Sequence, residues 1–166
     1  LPGIHERGQP CEQQSRLMPG DAAAAELKMV KREMDSELFP VYVQRKIEEL
    51  ENGLEKYPES LTCMAGNCSF AVNWQGEMRP CVTLEEPSVP VFHVGFEAAW
   101  EKISRESKRF RINEKCTKCR LRPICKTCTA SAWVETGQYD GLPEYLCSYA
   151  EEYSRLLYGE LNENTK

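Results

Sequence analysis

Nine cysteines in 166 residues constrain this chain more than any other feature: Cys11, Cys63, Cys68, Cys81, Cys116, Cys119, Cys125, Cys128 and Cys147. An odd number leaves one thiol over from any closed disulfide framework. The opening stretch LPGIHERGQP lacks the apolar run that marks an exported chain, and reducing compartments disfavour structural disulfides. The thiols are therefore expected to bind metal and the chain to be cytoplasmic. It opens on Leu rather than Met, as a piece of a longer protein would.

The densest stretch is CTKCRLRPICKTC, residues 116–128. Thiolates at i and i+3 in a tight turn can face one metal centre, while the backbone N–H groups of the turn stabilise their charge. Four thiolates in tetrahedral array would suit zinc. Yet only five residues separate Cys119 from Cys125, where zinc sites built from two CxxC pairs return after about 15–20. Runs this dense are more characteristic of cubane clusters, and in two-cluster ferredoxins the last cysteine of the run crosses to the second cluster. The eight cysteines from Cys63 onward divide into two sets of four. Spacing alone ranks iron–sulfur ahead of zinc and leaves both open.

The order of these residues resembles the SPASM domain, the C-terminal auxiliary-cluster module of radical S-adenosylmethionine enzymes that modify peptides and proteins. Cys63 is followed by twelve residues, Gly76, four residues and Cys81; then come Cys116-X2-Cys119-X5-Cys125 and, at the end, Cys147. The clear departure is Cys128, which follows Cys125 after two residues where the family has three. The resemblance covers about residues 61–149. It implies two [4Fe–4S] clusters, one on Cys63, Cys68 and Cys81 with Cys128 crossing over, the other on Cys116, Cys119, Cys125 and Cys147.

The same resemblance implies a role in electron transfer and substrate positioning for a maturase of peptides or proteins. The implied partners are a radical S-adenosylmethionine catalytic domain, a peptide or protein substrate, and a flavodoxin or ferredoxin electron donor. S-adenosylmethionine would enter only through that catalytic domain, because no CX3CX2C occurs here, and no catalytic residue is expected in this chain. Val82 follows Cys81 where sulfatase-maturing members place an aspartate, which lowers that subfamily. Two rivals are a zinc-binding interaction module and a standalone ferredoxin-like carrier.

Periodicity fills in the rest. Ala23, Leu27, Val30 and Met34 fall on one helical face, with Asp21 as the expected N-cap. Phe39-Pro40 is expected to interrupt, and a second helix to carry Val43, Ile47, Leu50 and Leu54 before fraying at Tyr57-Pro58. Alternation at Phe70, Val72 and Trp74, a turn at Gln75-Gly76, and Met78, Pro80 and Val82 beyond predict a β-hairpin, with Gly76 at positive φ. Residues 83–90 read as a loop, 95–107 as an amphipathic helix, 116–128 as irregular, and 129–136 as a short helix ended by Gly137. A closing helix with Tyr145, Tyr149, Tyr153, Leu156 and Leu157 should follow Pro143. His93 reads as a strand residue, Cys11 as a free thiol, and Trp74, Trp100 and Trp133 as core.

The expected fold is a small, irregular α+β domain with one short hairpin and several helices. Residues 1–60 would be a helical lead-in, 61–149 the double-cluster domain, and 150–166 a closing helix and tail. A net charge of −5, with basic residues scattered among acidic ones, argues against nucleic acid as partner. No apolar run approaches the roughly 18 residues of a membrane span, so no membrane partner is expected.

Overall fold

The computed structural model describes residues 5–6, 9–10, 16–53, 61, 63 and 65–164. Short paired strands, β1 (His5–Glu6) and β2 (Gln9–Pro10), precede α1 (Pro19–Glu33). The helix starts earlier than Asp21: Met18 is the N-cap and Pro19 takes the first helical position, where its missing N–H costs nothing and its fixed φ suits the helix. Asp21 lies in the first turn, where its charge meets the positive end of the helix.

The chain breaks at Met34, whose backbone is extended, rather than at Phe39-Pro40. The Asp35 carbonyl accepts from the N–H groups of Leu38 and Phe39 at 3.0 Å each, and α2 (Leu38–Asn52) begins there. Pro40 fits inside the first turn of α2, because first-turn N–H groups have no acceptor within a helix. Leu54, Tyr57 and Pro58 lie outside the described residues.

Both helices pack on the long closing helix, α7 (Glu144–Asn164). Ala23 and Leu27 from α1, Phe39, Val43 and Ile47 from α2, and Tyr149, Ala150, Tyr153 and Leu157 from α7 are buried together. Polar groups inside this bundle are paired: the hydroxyls of Tyr42 and Tyr153 lie 2.8 Å apart, and the Tyr149 hydroxyl donates to Glu26 at 2.6 Å. Ahead of α1, the Arg16 guanidinium sits 3.1 Å from the ring centroid of Tyr145 and pairs with Glu135 at 2.6 Å.

The hairpin forms as expected from β3 (Ala71–Val72) and β4 (Glu77–Arg79), antiparallel, with Val72 opposite Met78. Asn73 organises the turn, its Oδ1 accepting from the N–H groups of Gln75 and Glu77. Gly76 has φ +79°, and a Cβ there would lie 2.5 Å from the Phe92 ring; conformation and space both call for glycine. Trp74 falls in this turn and not in the ladder, so it is 91% exposed rather than core. A third strand, β5 (Val89–Pro90), pairs with β4 inside the segment expected to be loop. It feeds a single helical turn, α3 (Val91–Val94), which carries His93 and replaces the expected strand residue there. Then α4 (Phe96–Ser107) covers the sheet, burying Met78 and Val89 against Ala99 and Ile103. Trp100 and Trp133 are half-buried, Trp133 stacked on Tyr139 at 4.7 Å.

Two short helices complete the chain: α5 (Glu114–Thr117), in the segment expected to be irregular, and α6 (Thr129–Thr136). Gly137, at φ +72°, ends α6 with its N–H donating to the Trp133 carbonyl at 2.8 Å. The domain is thus a small α+β fold. Among the described residues no helix is long and apolar enough to cross a membrane.

Candidate metal centres

The second set of cysteines converges. Asn113 accepts from the Lys115 N–H and caps α5, which fixes Cys116 in its single turn. The following backbone coils tightly: Cys119 N–H donates to the Cys116 carbonyl at 3.3 Å, Arg122 N–H to Cys119 at 3.0 Å, and Cys125 N–H to Leu121 at 2.9 Å. Leu121 and Ile124 drive into the helical core and pin this coil to the bundle. Cys147 arrives from the first turn of α7. The four thiols, Cys116, Cys119, Cys125 and Cys147, line one cavity of about 220 Å³. Leu142 and Ala150 supply apolar wall, and Lys115, Arg122, Thr127 and Glu151 the polar part.

These thiols feel one another. Burial, then the charge of Cys125, holds the Cys116 thiol above its ordinary pKa, with Arg122 pulling the other way. Burial, then Cys125, Cys116 and Cys119, pushes Cys147 up to about 11. Cys116 and Cys147 thus resist ionising unless positive charge arrives among them, and iron or zinc would bring that charge. The Cys125 Sγ also lies 3.0 Å from the Thr127 hydroxyl, a group that can donate to a thiolate.

The first set is assembled in part. Cys63 and Cys68 are exposed, Cys63 ahead of and Cys68 within a tight turn in which Gly66 (φ +69°) donates its N–H to the Ser69 carbonyl at 2.8 Å. A Cβ on Gly66 would stand 2.2 Å from Ser107 Oγ, so only glycine lets this turn lie on α4. Cys81 and Cys128 are half-buried and pack against one small core of Leu61, Ala65, Leu84 and Ala130. Cys128 is the N-cap of α6, its N–H donating to Ser131 Oγ at 2.7 Å. Two buried hydroxyls in this region, Ser107 Oγ beside Gly66 and Thr129 Oγ1 beside Cys128, have no hydrogen-bond partner. Orphaned donors of this kind suit a site that receives an acceptor such as a thiolate or sulfide.

Among the described residues no three Cys, His, Asp or Glu side chains stand close enough together to close directly on one ion. Cys11 lies outside the described residues. Sequence reasoning missed Arg122, Thr127, Gly66 and Ser107. The signal for Arg122 was a cation set among Leu121, Pro123 and Ile124; Ser107 has no local signal, because its role comes from the approach of a distant turn. No family model, no curated protein and no solved structure matches this chain.

Proposed function

We propose that this chain is an auxiliary iron–sulfur domain of the SPASM kind, holding two [4Fe–4S] clusters for a radical S-adenosylmethionine maturase of peptides or proteins. The observation that carries the reading is the single cavity lined by Cys116, Cys119, Cys125 and Cys147. A tetrahedral zinc ion bonded at about 2.3 Å would draw four sulfurs to roughly 3.8 Å from each other. Four cysteines around some 220 Å³ suit a multi-atom group better. Each cluster, when bound, supplies a one-electron couple.

The chain's own residues do the rest. Leu121 and Ile124 anchor the ligand coil, and Leu142 and Ala150 supply apolar cavity wall. The Cys125 thiol donates to the Thr127 hydroxyl, which would turn to donate once the sulfur is a thiolate. With four cysteines assigned to each site, neither cluster would keep an open iron, which favours electron transfer over substrate ligation. Substrate and catalytic domain would meet this module from outside, and a flavodoxin or ferredoxin would supply electrons.

Anaerobic reconstitution tests the reading. The expected product is brown and holds about eight irons and about eight acid-labile sulfides per chain. A colourless protein with bound zinc and no sulfide overturns it in favour of the structural module. A reproducible half of that iron would remove one of the two sites.

A further inference from the structure

Resting on the cluster reading above, we infer that Arg122 is the fixed counter-charge of the four-cysteine centre, a positioning residue that makes the reduced form of that centre reachable.

Among the described residues Arg122 is the most deeply buried charged residue, at 3% exposure. It falls in a run of four buried residues, 121–124, where its neighbours are apolar. A guanidinium keeps its charge at any pH the fold survives. Arg122 lines the cavity with the four thiols. The other charged residues of the lining, Lys115 and Glu151, are of opposite sign and both exposed, which leaves Arg122 as the buried charge there. The Arg122 charge is felt by Cys116. It is held in place from the same side, Nη1 donating to the carbonyl of Thr127. The hydroxyl of that residue lies 3.0 Å from Cys125 Sγ. Arg122 and Thr127 therefore form one unit: the arginine fixes the backbone of the residue that hydrogen-bonds the sulfur.

The direction of the effect follows from charge. A cubane on four thiolates is negative in both states and becomes more so when an external one-electron donor reduces it; no bond forms or breaks. A fixed cation nearby stabilises the more negative state, and net charge around the cluster is a principal determinant of its potential. In a medium of effective dielectric about 20, a full charge about 10 Å away is worth on the order of tenfold in the reduced-to-oxidised ratio.

The test is a mediated dithionite titration of the reconstituted wild-type chain, Arg122→Met and Arg122→Lys, followed by electron paramagnetic resonance so that the two centres are read separately. Arg122→Met is expected to lower the reduced-to-oxidised ratio of one centre about tenfold at a fixed potential and to leave the other unchanged. Arg122→Lys should recover most of that loss. Titrations of loaded wild-type and methionine proteins that superimpose overturn the counter-charge. If Arg122→Met fails to load that centre, the lysine variant decides. Recovered iron and potential support a role for charge, and a lysine variant as empty as the methionine one overturns it. A wild-type chain that takes up zinc and no sulfide fails the cluster reading itself, a result distinguishable from a loaded protein indifferent to residue 122.

Discussion

Cys81 and Cys128 pack against one small core, that of Leu61, Ala65, Leu84 and Ala130, while Cys125, three residues before Cys128, packs against the helical bundle instead. Between Cys125 and Cys128 the chain passes from one core to the other. Thr127 is the buried residue at this crossing, and Cys128 opens α6.

Ligand variants should therefore sort into two groups. Cys128→Ala should perturb the same centre as Cys63→Ala, Cys68→Ala and Cys81→Ala, and Cys116→Ala, Cys119→Ala, Cys125→Ala and Cys147→Ala the other. Electron paramagnetic resonance of the reduced variants reads this directly. If Cys128→Ala groups with Cys116→Ala, the crossing does not carry a ligand, and four thiols of the 116–128 run share one metal.

Removal of metal should loosen the molecule unevenly. The coil at 116–125 is pinned to the bundle by Leu121 and Ile124 alone and otherwise rests on short backbone bonds and the cysteines, whereas α1, α2 and α7 supply nine of the residues of that core. Hydrogen exchange after chelation should quicken around 114–128 and stay slow in α1, α2 and the later turns of α7. Equal protection of 114–128 with and without metal would contradict this.

The bundle should weaken in alkali. Burial, followed by the hydrogen bond to Glu26, raises the pKa of Tyr149; burial, followed by the bond to Tyr42, raises that of Tyr153. A phenol that holds its proton more tightly in the fold stabilises it fully below the ordinary pKa near 10. It loses that contribution as pH rises towards the folded value. Urea midpoints should thus be level to about pH 9 and fall above it. Tyr149→Phe, which has no proton to lose there, should fall less steeply; parallel curves would refute the assignment.

Core and surface substitutions should separate cleanly. Leu157 has no exposed surface, so Leu157→Ala should cost about 2–5 kcal/mol. Trp74→Ala, at a turn residue 91% exposed, should change stability by no more than about 0.5 kcal/mol. Denaturant midpoints at constant m check both.

Much of the fold was legible because it rests on local periodicity. The stripe Val43–Ile47 and the αL glycine after α6 are properties of a few neighbouring residues. Pro40 misled, since a proline breaks a helix only past its first turn, and where that turn begins was decided by Asp35. β5 was hidden because two residues carry no period; β4 recruits them. Trp74 was read by its size and not by its place in the turn. For the candidate sites, spacing gave only two sets of four; the grouping of Cys116, Cys119, Cys125 and Cys147 was what the family resemblance implied, and these four line one cavity. Gly66, Ser107 and Arg122 acquire their meaning from chain segments that meet only after folding.

Cys147 sits on the same helix as Ala150, Tyr153 and Leu157, at intervals of three and four residues. Thiol and bundle core therefore ride on one rod, and the rotational setting of that rod is fixed by how α7 seats on α1 and α2. One residue inserted between Cys147 and Ala150 would swing the thiol by about 100° about the axis and withdraw it from the cavity. The far end of α7 is in this sense a tuning peg: anything that turned the helix in its seat would be felt at the sulfur.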